Sequence, residues 1–548
     1  MAACRRTLWP GRKTLLLVTS TITLATPASS LHWTPCSSIS ALGCTTLTVP
    51  LEYADSHDGR FATIPLARVL RNRLPLEWGR FQHSNIAGGY YDIVSWDPRG
   101  VGAATPLLAC WDTAGQEAEA SDSVFAAAEI EYSLSLNKRY TAPGGEYENA
   151  IREYDASLAK IAADCVEHDS SALYTSSAAY VVRDMAAIVD ALDGGNALVN
   201  YWGFSYGTIY GAEFIQTFPE RVGRFVFDGV FSPEANADRY TSQLPNDQLY
   251  VAEAIADLAN LCEEAGGRAC ALAGATASAN ERPGPRNSSA DIPRRLADLQ
   301  ASLYDNPVAV LDGSWSITVG MFSFFIYSFL KLTTAWPAAV SPRRHLTLAA
   351  QIQDPWPAGR FNARDNAPSN NTGIPEVTDL VLDISLRERT PWLNADLSTL
   401  SFCRNFPNAR PCVPNLGASR LTNLQTNAAL TARDTSVLIV NGLHDPMTPV
   451  TSAQSLHRWL STSSQLVTRK GPGHTTISLA SLGLVQAIRE YLVHGTVPES
   501  VQVHDVSQAV FSEEINAGTI TPEPVFDGTY TEEESRLLRQ RMACIRRL

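Results

Sequence analysis

The stretch that most constrains this chain is Tyr201-Trp202-Gly203-Phe204-Ser205-Tyr206-Gly207-Thr208. It places Gly203-x-Ser205-x-Gly207 between two unlike neighbours. The run before it, Ala197-Leu198-Val199-Asn200-Tyr201-Trp202, is short, mostly apolar and strand-like. The run after it, Thr208 to Phe218, reads as a helix and stops at Pro219. Strand, sharp turn and helix are the context in which a serine is lifted above a sheet edge on a strained turn. Glycine is needed on both sides, because a side chain there would strike the adjoining strand or helix. The first amides of the helix point at the same spot and favour negative charge there. The motif alone is weak. Its flanks make Ser205 a candidate nucleophile and the Tyr206 amide a candidate oxyanion donor.

Around that stretch the chain alternates buried strands and helices, which predicts an α/β fold with a mostly parallel sheet. Leu47–Leu51 and Thr63–Val69 read as an antiparallel start. Tyr91–Trp96 is a strand closed by Asp97-Pro98-Arg99-Gly100-Val101-Gly102, where Arg99 is expected to tie loops together by charge-assisted hydrogen bonds. Ser176–Leu192 is a helix ended by Asp193-Gly194-Gly195, and Arg224–Val230 is a further strand. The rhythm breaks over residues 236–400, which are helix-like with proline-rich loops and read as an inserted helical lid. Its most apolar part, Met321–Leu330, is expected to be a buried lid helix. The sheet resumes with Ser436–Asn441 and Ser464–Val467, then a helix from about Leu479 to Leu492. The division predicted is therefore residues 1–30 as a leader, 31–235 and 401–510 as two halves of one core, 236–400 as the lid, and 511–548 as a tail. A helix opened by Thr531-Glu-Glu-Glu534 ends that tail.

A serine hydroxyl attacks a carbonyl only if a base takes its proton. Histidine can do so when an acid fixes its tautomer and stabilises the imidazolium. The chain offers Ser205, then Asp445 in Gly442-Leu443-His444-Asp445-Pro446-Met447-Thr448-Pro449, then His474 in Gly471-Pro472-Gly473-His474. Both loops follow strands, at the edge where such sheets collect their reactive groups. Taken singly, an Asp before Pro is a turn residue and a His beside Gly is an exposed one. In order and together they predict a triad. His444 is set aside, because adjacent residues on one loop rarely face each other.

Residues 1–30 have the pattern of a secretory leader. Arg5, Arg6, Arg12 and Lys13 precede an apolar run from Thr14 to Ala25, and Ala28-Ser29-Ser30 suits cleavage, with a mature start near Leu31. The apolar run is shorter than the roughly 20 residues that span a bilayer, so no membrane partner is expected after cleavage. Loss of four positive and no negative charges moves the net charge from −13 to −17, a poor balance for binding nucleic acid. With 45% hydrophobic and 18% charged residues, the chain has the composition of a folded protein. The cysteine pairs Cys36/Cys44, Cys262/Cys270 and Cys403/Cys412 are spaced for local disulfides in an oxidising compartment. Cys110 and Cys165 form a fourth pair by elimination, and Cys544 is left over. Without a C-x-x-C or a nearby histidine cluster, the pairs do not read as metal ligands. Asn287-Ser-Ser and Asn370-Asn-Thr are glycosylation sequons at Asn287 and Asn370.

Three stretches and a dipeptide carry a family resemblance: Tyr91-Asp-Ile-Val-Ser-Trp-Asp-Pro-Arg-Gly-Val-Gly102, Gly203-Phe-Ser-Tyr-Gly207, Val437-Leu-Ile-Val-Asn-Gly-Leu-His-Asp-Pro-Met-Thr-Pro449, and Gly473-His474. Through them the chain resembles secreted α/β-hydrolases of the serine peptidase family that includes prolyl and tripeptidyl aminopeptidases. The resemblance implies Ser205 as nucleophile, Asp445 as acid and His474 as base. It also implies a helical lid, no cofactor, and hydrolysis of short peptides from the amino end. An esterase or lactonase acting on a small natural product would use the same triad. An amino-end peptidase should also hold a carboxylate against the substrate ammonium, with Glu234 or a lid Asp as candidates. One departure stands out. The family has a glycine-rich run ahead of the Asp-Pro-Arg-Gly strand, which supplies an oxyanion amide. Between Leu70 and Tyr91 this chain has only Gly88-Gly89. A weak or inactive homologue is therefore a third reading.

Overall fold

The architecture is that of a computed structural model. It describes residues 14–17, 31–36, 42–53, 55, 57–69, 90–107, 110–113, 116, 156, 160, 163–168, 175–232, 249–267, 269–273, 291–306, 308–310, 315–317, 322, 326–327, 329–331, 333, 336, 430, 436–507 and 510–511. The strands are β1 (Thr14–Leu17), β2 (Thr34–Pro35), β3 (Gly43–Pro50), β4 (Phe61–Val69), β5 (Asp92–Trp96), β6 (Val199–Phe204) and β7 (Val222–Asp228). A hairpin follows, β8 (Val308–Val310) and β9 (Trp315–Ile317), and then β10 (Val437–His444), β11 (Ser464–Pro472) and β12 (Gln502–His504). The helices used below are α1 (Ala178–Asp193), α2 (Gly207–Thr217), α3 (Val251–Ala265), α4 (Asp291–Asp305), α5 (Val450–Leu460) and α6 (Leu482–His494).

Ten strands form one sheet in the order β12-β11-β10-β7-β6-β1-β5-β4-β3-β2. From β12 to β5 each pair is parallel, and from β5 to β2 each is antiparallel. The strand–helix alternation read from the sequence thus becomes a mostly parallel sheet covered on both faces. Successive strand residues go to opposite sides. Tyr201, Phe225, Phe227 and Ile439 face α1, α2 and α5. Trp202, Val226, Leu438 and Val440 face α6. Helix α1 buries Val181, Val182, Met185, Ala186, Ile188 and Val189, the 3.6-residue stripe expected of a surface helix. Each fully buried large side chain, such as Phe214 or Phe225, contributes about 1.5–3 kcal/mol of burial.

One strand was unforeseen. Thr14–Leu17, inside the segment expected to leave as a leader, pairs in parallel with both β5 and β6. Leu15 lies opposite Ile93 on one side and Asn200 on the other. Without it, β5 and β6 would face each other across a slot with unmet backbone groups, and a short apolar run satisfies them. Removal of residues 1–30 and this pairing exclude each other in one molecule.

The described part of residues 236–400 gathers around α3 and α4. Ala254, Leu258, Ala259, Cys262 and Ile292 form a cluster with Leu330, Trp336, Leu479, Val510 and Phe511. Ile326 and Phe329, from the Met321–Leu330 stretch, pack on it. Disulfides join Cys36–Cys44, Cys110–Cys165 and Cys262–Cys270. Cys403, Cys412, Cys544, Asn287, Asn370, Glu234, the run from Leu70 to Gly89 and the 531–534 helix start lie outside the described residues.

Candidate active site

Ser205 follows β6 directly and has φ +51°, a left-handed conformation that a non-glycine residue rarely holds. The turn is forced. A Cβ on Gly203 would lie 2.6 Å from the Gly207 carbonyl and 2.5 Å from Tyr201 Cε1. The Tyr201 hydroxyl donates to that same Gly207 carbonyl at 2.6 Å, tying strand to helix. Ser205 N–H donates to the Asp228 carbonyl at 2.9 Å. Thr208 closes the turn: its amide and its hydroxyl both donate to the Ser205 carbonyl, at 2.9 and 2.7 Å. Tyr206 stands at the start of α2, where the helix's unpaired amides begin.

Asp445 follows β10, and His474 lies on the loop after β11, its hydrogen-bonded neighbour. Asp445 is fully buried. Its Oδ1 accepts from the amides of Met447 and Thr448, both at 2.9 Å. Its Oδ2 accepts from the Thr448 hydroxyl at 2.8 Å and the Thr475 amide at 2.8 Å. His474 Nδ1 completes the set, 3.0 Å from Oδ2 and 3.1 Å from Oδ1. Burial pushes the Asp445 carboxyl up. The His474 charge and hydrogen bond, with the Thr448 and Met447 amides, outweigh that and hold it below the ordinary carboxylate value. The other ring nitrogen, His474 Nε2, is buried and makes no hydrogen bond among the described residues. With Nδ1 turned to a carboxylate, Nε2 is the atom left to take a proton.

Asp228, at the end of β7, joins the serine turn to the histidine loop. Its carbonyl takes the Ser205 amide, and its carboxylate takes the Thr476 amide at 2.7 Å, the Thr476 hydroxyl and, at 3.2 Å, Trp202 Nε1. Gly229 follows at φ +67°. A Cβ there would lie 2.7 Å from Thr475 Cγ2 and 3.1 Å from Thr448 Oγ1, beside the Asp445–His474 pair. Sequence reasoning placed Asp228 in a strand but gave it no role. The signal that was available is a carboxylate at the carboxyl end of a buried strand. Thr448, three residues after Asp445, carried no comparable signal.

His444, set aside above, has a partner of its own. Its Nδ1 is 2.6 Å from Asp257 Oδ2 on α3, and Tyr250 stacks on its ring. It belongs to a contact between α3 and the end of β10. Among the described residues no cluster of His, Cys, Asp and Glu could hold a metal ion.

A parallel sheet with a left-handed serine after one central strand, and a carboxylate–imidazole pair after two neighbouring ones, defines an α/β hydrolase. Residues 82–257 match the family described as the α/β hydrolase fold. Residues 412–504, which hold Asp445 and His474, match the TAP-like protein family. The chain is thus a TAP-like α/β hydrolase, an enzyme with serine protease relatives. It is 24% identical over 519 residues to the serine protease Hip1 of Mycobacterium tuberculosis, covering 86% of this chain and 90% of that protein. It is 32% identical over 161 residues to the tripeptidyl aminopeptidase of Streptomyces lividans, covering 29% of this chain and 26% of that protein. No helix among the described residues is long and apolar enough to cross a membrane.

Proposed function

We propose that the chain is a secreted serine exopeptidase that releases short peptides from the amino end of its substrates through an acyl-enzyme. One observation carries the catalytic part: His474 is held by Asp445 through Nδ1 with Nε2 unengaged, on a loop that Asp228 ties to the turn of Ser205. His474 Nε2 takes the Ser205 Oγ proton as Oγ bonds to the substrate carbonyl carbon. The tetrahedral oxyanion is met by the Tyr206 amide at the head of α2. His474 then gives its proton to the leaving amine and the acyl-enzyme forms. Water attacks it by the same proton route and restores Ser205. No metal or organic cofactor has a step in this route. Peptide as substrate class, with cleavage from the amino end, draws on the tripeptidyl aminopeptidase relative. Of the lid carboxylates, Asp257 is engaged by His444, so the substrate ammonium needs another partner.

Labelling with a fluorophosphonate probe tests the nucleophile, since such probes report an activated serine. The native protein should label, and Ser205→Ala should not. Absence of labelling in folded native protein would favour the inactive-homologue reading that the missing glycine-rich run raises. Turnover of an aminoacyl anilide, lost when its amine is blocked, then supports peptidase over esterase or lactonase.

Secretion is supported by the three disulfides, which suit an oxidising compartment. We propose residues 1–30 as the leader. Amino-terminal sequencing of exported protein should then read from near Leu31. A start before Thr14 would keep β1 in the sheet and overturn the leader.

A further inference from the structure

Arg469 is a fully buried residue of β11, five positions before His474. Its Nη1 donates to the carbonyls of Lys470, Gly471 and Pro472 at 3.2, 3.1 and 2.9 Å. Its Nη2 donates to the carbonyls of Gly473 and Thr475 at 3.1 and 3.0 Å, and to Ser478 Oγ at 2.8 Å. Five carbonyl oxygens, three from the end of β11 and two from the loop after it, therefore converge on one guanidinium. Such dipoles repel unless a cation stands at their focus. The backbone is bent to make them converge: Gly471, Gly473 and Thr475 have φ of +80°, +96° and +58°. For Thr475 that conformation is strained and persists only because its surroundings impose it. Its carbonyl is held by Arg469 and its amide by Asp445 at 2.8 Å. The opposite strand makes room, since a Cβ on Gly442 would lie 3.4 Å from Cζ, Nη1 and Nη2 of the guanidinium.

We propose that Arg469 is the positioning residue of the catalytic base: it shapes the loop that presents His474 to Ser205. The proposal rests on the triad reading above. The carbonyls it grips belong to the residues on both sides of His474, so the ring's anchor points are fixed by one side chain. The loop is held from the other side as well, where the Lys331 carbonyl accepts the His474 amide at 2.9 Å.

The test uses the full chain with Arg469→Met and Arg469→Lys, reading the maximal rate of fluorophosphonate labelling and the probe concentration that half-saturates it, with circular dichroism as the control for folding. Folded Arg469→Met should label about 100-fold more slowly at saturation, the size of loss that follows a misplacement of about 1 Å, with half-saturation unchanged. Arg469→Lys should also lose rate, because an ammonium does not reproduce the fork. A native maximal rate in Arg469→Met would overturn the proposal. If Arg469→Met does not fold, native rate in Arg469→Lys would overturn it. If the native protein itself fails to label, the triad reading falls and Arg469 is read on His474 directly. The NMR resonances of the His474 ring at one fixed pH should then shift in Arg469→Met, and unmoved resonances sink the proposal.

Discussion

Two arginines are buried on opposite sides of the sheet, and they are held differently. Arg99, after β5, meets a carboxylate: Nε and Nη2 donate to the two oxygens of Asp184 on α1, both at 2.7 Å. It also donates to the carbonyls of Pro50 and Leu51, each at 2.6 Å, and lies over the rings of Tyr53 and Tyr180. Burial works against the Arg99 charge, but the Asp184 carboxylate and Tyr53 more than offset it, so its proton is held more tightly than in free arginine. The hydrogen-bond acceptors described for Arg469 are neutral oxygens of its own loop. Arg99 joins an antiparallel edge to a helix and touches nothing in the triad. Arg469 holds the end of β11 and the loop after it, which carries His474, the proposed base. The Arg99–Asp184 pair locks a loop to a helix. The Arg469 hydrogen bonds to carbonyl oxygens keep a strained loop in shape.

The comparison breaks most visibly at Asp184. Asp184→Ala leaves Arg99 buried without its carboxylate and should destabilise the protein by about 3–5 kcal/mol in denaturant unfolding. The protein that remains folded should still label at Ser205 at close to the native rate. If labelling falls as far as in Arg469→Met, the division between a fold-locking and a base-positioning arginine is wrong.

A smaller effect sharpens it at His444, one residue before Asp445 and within reach of Arg469's field. The hydrogen bond to Asp257 raises His444 above its ordinary value of 6.5, burial opposes, and Asp257 and Glu253 add their charges. A raised folded value means that the stabilisation is fully present below the unfolded value and is lost as pH rises through the folded one. His444→Gln should therefore lower the melting temperature near pH 5.5 and leave it unchanged near pH 9. The pair is partly exposed, 34% and 21%, so the change is small: about 0.5 kcal/mol, or roughly 1–2 °C. An equal loss at both pH values would show a packing role instead.

The fold class was legible because period and punctuation are local. The runs at 199–204, 222–228 and 437–444 are apolar on both faces, as central parallel strands must be, and glycine or proline follows them. The candidates Ser205, Asp445 and His474 were legible for a related reason: each sits in a turn whose residue types are dictated by the turn itself. By itself, then, the sequence determined the strand–helix order, the serine turn and the choice of three candidate side chains. Asp228, Thr448 and Arg469 were decided only by the tertiary structure, because a carboxylate, a hydroxyl and a guanidinium acquire a role from what converges on them. Arg469 on its strand looks like any alternating polar residue until the loop after it folds back. The same holds for Thr14–Leu17, whose apolarity suits a leader and a central strand alike. Only the vacancy between β5 and β6, a property of the whole sheet, gives that run a place in the structure.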